Sequence, residues 1–156
     1  MQPSAISNAQ RQRCREEGLS DRIRFVVADA CSSGLPADTA DFVWGEDAWC
    51  YGPDKARLVA EAKLLVRPGG TIAFTDWVEG SAELKAEEAQ RALGLMSFPN
   101  VHDIPGYSGL LRDNGCDVLI AEDTGRMTAF FDLSLNMTEI QVTYEYLRRC
   151  NFGPRR

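Results

Sequence analysis

The sequence predicts an α/β protein, a mostly parallel sheet flanked by helices. Three stretches carry that expectation. Phe42-Val43-Trp44 is a short apolar run bounded by charge, as a buried strand is. From Asp54 to Val66, Leu58, Ala62 and Leu65 recur at helical spacing, with Val59 and Val66 widening the apolar stripe. Thr71 to Phe74 is apolar and β-branched, which gives a second strand. A helix between two buried strands makes a parallel β-α-β unit.

The joints of this unit are legible too. Gly52-Pro53 suits a helix start, where proline lacks only a hydrogen bond it would not have made. Pro68 biases Arg67 away from helical geometry, and Gly69-Gly70 permits the turn back. In open parallel sheets a ligand sits outside the carboxyl ends of the strands. That rule brings Gly45-Glu46-Asp47 and Asp76-Trp77 to one reacting edge.

The rest of the chain follows in order. Met1 to Ser4 reads as a disordered start, and Ser7 to Glu17 as a helix closed by Gly18, with Leu19 packing back. Ile23 to Ala28 is an apolar strand ending in Asp29-Ala30, and Ser32 to Ala40 is a loop. Ser81 to Leu95 is a charged helix with Ser81 as N-cap and Ala82, Ala86, Ala89 and Leu93 on one side. After the loop Phe98 to Asp103 come a short helix containing Tyr107, Leu110 and Leu111, its stop at Gly115, and a strand from Cys116 to Ala121. Leu133, Met137, Ile140, Tyr144 and Leu147 repeat at four-three spacing, an amphipathic helix suited to core or partner packing.

Composition narrows the function classes. The 156 residues, 44% hydrophobic and 26% charged, are those of one soluble globular domain. A net charge of −6 argues against an exposed phosphate backbone as partner, so no nucleic acid is expected. No apolar run approaches a membrane span or a signal peptide, so a cytoplasmic protein without membrane contact is expected. Five scattered cysteines and a single histidine point to reduced thiols, with neither a disulfide framework nor a metal site.

Taken together, Asp41-Phe-Val-Trp44, Asp47-Ala48, Pro53-Asp54-Lys55, Leu65 with Arg67-Pro-Gly-Gly70, and Thr75-Asp76-Trp77 resemble the later half of a class I S-adenosylmethionine-dependent methyltransferase. The pattern is similar to the small-molecule branch that methylates sarcosine, dimethylglycine and phosphoethanolamine. It extends from about Ile6 to Thr124. The resemblance implies a Rossmann-like class I methyltransferase fold with S-adenosylmethionine as cofactor. The family's first strand and Gly-rich loop should precede Ile6 and are not in this sequence. A truncated domain over 1–156 is therefore expected, with a lid or insertion at 81–104 and a C-terminal helical segment at 125–150.

The resemblance also distributes roles. Asp29 and Ala30 would hold adenine, and Gly45 and Glu46 would flank the methionine end of the cofactor. Asp47, Trp49 and Trp77 would contact the acceptor, with Asp76, Tyr51 and His102 as catalytic groups. Each has a plainer alternative: Asp29 as the cap of a turn, Trp49 as a core or lid residue, Tyr51 as packing, His102 as an inert loop residue. Cys50 has no histidine beside it and reads as packing. The implied reaction is methyl transfer to a small amine or hydroxyl acceptor. The alternative is a non-catalytic fragment acting through association, since a sheet lacking a central strand exposes edges that invite a homodimer or a strand-completing partner. A dinucleotide enzyme is disfavoured because neither its fingerprint nor a P-loop is present.

Overall fold

The β-α-β unit is the centre of the structure, a computed structural model that describes residues 3–80 and 85–126 together with Leu133, Asn136, Met137, Ile140 and Gln141. In chain order its elements are α1 (Pro3–Glu16), β1 (Ala40–Glu46), a 3-10 turn (Trp49–Tyr51), α2 (Lys55–Leu65), β2 (Val66–Thr75), α3 (Ala86–Met96) and α4 (Ile104–Asp113). The chain divides into two compact units, Met1–Leu119 and Ile120–Arg156. In the second, Leu133, Asn136, Met137, Ile140 and Gln141 are helical, whereas Tyr144 and Leu147 lie outside the described residues.

Strands β1 and β2 pair in parallel, with Phe42 opposite Thr71 and Glu46 opposite Thr75. The second strand is longer than the sequence suggests, because Val66 already pairs with β1. Ala40 pairs with Val66 and Phe42 with Thr71, so Arg67 to Gly70 bulge out opposite Asp41. Both glycines are needed there. Gly69 adopts φ +79°, and a Cβ on Gly70 would lie 2.8 Å from the Asp41 carbonyl.

Helix α2 starts where Asp54 accepts a hydrogen bond from the Arg57 N–H at 3.0 Å. Its last carbonyls, on Leu64 and Leu65, accept from Asp38 and Thr39, so the segment entering β1 closes the helix. Helix α1 ends in a Schellman turn: Leu19 N–H donates to Cys14 and Gly18, at φ +67°, to Arg15. It begins at Pro3, earlier than the sequence reading allows. Helix α3 begins at Ala86 behind Lys85, whose N–H donates to the Glu88 carboxylate, so Ser81 as N-cap lies outside the described residues. Helix α4 opens at Asp103, which accepts from Gly106 N–H at 2.7 Å.

The core lies on one face of the sheet. Val43, Ile72 and Phe74 pack against Leu58, Val59 and Ala62 of α2 and against Tyr107, Leu110 and Leu111 of α4. The opposite face carries Phe42 and Trp44, 53% and 55% exposed and stacked on each other at 6.1 Å. Two expected strands are absent. Ile23 to Ala28 and Cys116 to Ala121 carry no regular secondary structure and join no ladder among the described residues. Ile23, Val26, Val27, Leu119 and Ile120 remain exposed. Without a neighbour for its N–H and C=O groups an apolar run is not a strand. No described helix is long and apolar enough to cross a membrane.

Candidate functional site

Two strand ends meet at the site. β1 runs out through Gly45 and Glu46 into Asp47, and β2 into Asp76 and Trp77. The Asp47 N–H donates to the Thr75 carbonyl at 2.8 Å, and the Thr75 hydroxyl donates to Asp47 Oδ1 at 3.1 Å. Asp47 takes φ +47°, a left-handed conformation that aspartate tolerates better than most residues. The turn redirects the chain into Trp49–Tyr51.

Asp76 is the hub. Its Oδ1 accepts from the Cys50 N–H at 2.9 Å and its Oδ2 from the Tyr107 hydroxyl at 2.6 Å. One carboxylate thus ties β2 to the 3-10 turn and to α4. Beside it, the Lys55 ammonium is 3% exposed and donates to three carbonyls, Cys50 at 3.2 Å, Gly52 at 2.7 Å and Asn100 at 3.2 Å. Burial pushes the Lys55 pKa down, opposed by the charge of Asp76. Burial pushes the Cys50 thiol up to about 12, with the Asp76 charge adding to it. A thiol so protonated at neutral pH is no nucleophile. The Tyr107 phenol is pushed up by burial and by its hydrogen bond to Asp76.

Aromatic side chains fill the surroundings. Trp49 is 6% exposed and stacked on Phe74 with centroids 3.9 Å apart. Its indole lies over Gly45, where a Cβ would come within 2.7 Å of the ring Cδ1. Gly45 is therefore held as glycine by the indole packed on it. The sequence reading sets Trp49 at the acceptor; the structure buries it against Phe74 and Gly45. Phe98 gathers two other expected residues, Tyr51 at 5.2 Å and Trp77 at 5.6 Å. Tyr107 similarly meets the His102 ring at 5.6 Å. The His102 carbonyl accepts from the Glu79 N–H, which fastens this loop to the chain leaving β2.

Asp76, His102, Tyr51 and Trp77 are thus brought together through two residues the sequence reading passed over, Phe98 and Tyr107. Lys55 is the third. Phe98 and Tyr107 make their contacts with partners distant in sequence, and Lys55 reaches Asn100 as well as the nearby carbonyls of Cys50 and Gly52. Asp29 and Ala30 lie on an exposed loop. There Asp29 Oδ1 accepts from the Cys31 N–H at 2.9 Å, the turn-capping arrangement. Glu46 is exposed at the end of β1.

Comparison with known proteins decides what this architecture is. A methyltransferase domain family matches residues 2–74. A sarcosine/dimethylglycine N-methyltransferase from Halorhodospira halochloris is 28% identical over 153 residues, 92% of this chain and 54% of that protein. The chain is similar to the class I S-adenosylmethionine-dependent methyltransferases. Methyltransferase GfsG from Streptomyces halstedii is 30% identical over 120 residues, 76% of this chain and 43% of its own length. A putative sarcosine dimethylglycine methyltransferase from Galdieria sulphuraria shares the fold, with a TM-score of 0.62 at 22% identity over 67% of this chain and 39% of that one. The chain spans about half the length of these members, and the fold class is the one they share.

Proposed function

We propose that this chain supplies the acceptor side of a site that transfers methyl from S-adenosylmethionine to a small amine or hydroxyl compound. The observation that supports it best is Asp76, at the carboxyl end of a parallel strand and hydrogen-bonded from two other elements. Relatives described as acting on sarcosine, dimethylglycine and phosphoethanolamine make a small amine the first choice of acceptor.

The available donor set suits the cofactor. Glu46 and Asp29 are exposed carboxylates, complementary to a sulfonium and to an adenine amino group. In this reading Asp29 and Ala30 hold adenine while Gly45 and Glu46 border the methionine end. S-adenosylmethionine, when bound, supplies an electrophilic methyl group. In-line displacement depends mainly on alignment and exclusion of water. An amine arriving protonated must first lose a proton, and Asp76 with His102 provides an acceptor and an orienting charge for that step. Asp47, Trp77 and Tyr51 border the acceptor. A cytoplasmic location belongs to the same proposal.

The test is transfer of a labelled methyl group to dimethylglycine, sarcosine, phosphoethanolamine and a hydroxyl analogue. Asp76→Asn is expected to lower the rate about 100-fold or more, the usual worth of a positioned acid or base. Transfer that survives Asp76→Asn unchanged contradicts the assignment.

A second reading is a non-catalytic fragment working through a homodimer or a strand-completing partner. Phe42 and Trp44 favour it, because parallel sheets normally cover both faces. Sedimentation of the chain alone, monomeric at high concentration, would count against it.

A further inference from the structure

We infer that Tyr107 is the positioning residue of the acceptor site, a role resting on the function proposed above. Its hydroxyl donates to Asp76 Oδ2 at 2.6 Å, the shortest hydrogen bond that carboxylate makes. The same ring meets His102 edge-on with centroids 5.6 Å apart, and Phe74 of β2 at 5.2 Å. Tyr107 therefore touches both polar groups proposed to handle the acceptor's proton, while it is itself buried in the core.

Two features suit it to this work. The ring packs against the stacked pair of Trp49 and Phe74, so the hydroxyl has little freedom to leave Asp76. The Cys50 N–H fixes the other oxygen, so loss of the tyrosine bond leaves the carboxylate held from the Cys50 side alone. A phenol pushed up by burial also stays a donor throughout the working range and is no base itself. Tyr107 thus acts through Asp76 and His102, without reaching the acceptor.

The experiment is calorimetric titration of dimethylglycine into the chain saturated with S-adenosylhomocysteine, for the wild type, Tyr107→Phe, Asp76→Asn and the double variant. Tyr107→Phe keeps the ring and removes only the hydroxyl. It is expected to weaken dimethylglycine about 10-fold, as loss of a hydrogen bond to a charged group does. S-adenosylhomocysteine affinity should stay within about two-fold. The double variant should bind no more weakly than Asp76→Asn alone, since the two residues act as one unit. Tyr107→Leu, which removes the ring, should also shift the His102 imidazole resonances, whereas Tyr107→Phe leaves them in place.

Additive losses, or equal loss of S-adenosylhomocysteine affinity in Tyr107→Phe, mean a merely structural tyrosine and overturn the inference. So does wild-type binding that Tyr107→Phe leaves intact. A wild-type chain that binds S-adenosylhomocysteine but no dimethylglycine overturns the acceptor reading itself, and the inference falls with it. The two failures are distinguishable because one shows in the variant and the other in the wild type.

Discussion

Trp49→Ala is expected to cost about 3–5 kcal/mol of folding free energy, the usual loss for deleting a buried indole. The indole stacks on Phe74, covers Gly45 and leans on Tyr107. None of these neighbours can collapse into the space easily. Gly45 has no side chain, and Tyr107 is held by its bond to Asp76. Native domains are stable by only about 5–15 kcal/mol, so the loss is a large part of the total. Urea unfolding followed by circular dichroism measures it. A loss below about 1 kcal/mol would put Trp49 at the surface, where an acceptor could meet it.

Lys55→Met is the second large effect, expected at about 2–4 kcal/mol. Two terms compete. Methionine removes the cost of burying an ammonium, a cost visible in the lowered Lys55 pKa. Against that, the carbonyls of Cys50, Gly52 and Asn100 lose a charged donor together. An unpaired buried carbonyl costs about 1–3 kcal/mol, and three outweigh one desolvation. The damage should also travel. Asn100 belongs to the loop that carries His102, whose carbonyl accepts from Glu79. Hydrogen exchange at the Glu79 amide should therefore quicken in Lys55→Met. Unchanged stability and exchange would mean that Lys55 clamps nothing.

The β-α-β unit was legible because its signals are local. The stripe of Leu58, Val59 and Ala62, and Gly69-Gly70, each act within a few residues of themselves, although the cap proved to be Asp54, one residue after the Gly52-Pro53 start. The extent of β2 was not, since the pairing of Val66 depends on Ala40 across the sheet. The apolar run from Ile23 to Ala28 illustrates the converse. Its pattern is that of a strand, but a strand also needs a neighbour. At the site, topology alone brought Asp47 and Asp76 to one edge. Trp49 packs inward, because the glycine at 45 leaves room for its indole. Lys55, Phe98 and Tyr107 are named in the sequence reading but given no site role there, because each looks ordinary in its local context. A lysine at a helix start is ordinarily solvated, and an aromatic in a loop or on a helix is ordinarily packing.

The central claim is that the carboxyl ends of this parallel unit form a cofactor and acceptor site. Calorimetric titration of S-adenosylhomocysteine into the wild-type chain and into folded Asp29→Ala tests it most directly. The account predicts saturable binding by the wild type and affinity about 10-fold or more weaker in the variant, for a lost hydrogen bond to a carboxylate. A folded wild-type chain that takes up no S-adenosylhomocysteine would contradict it.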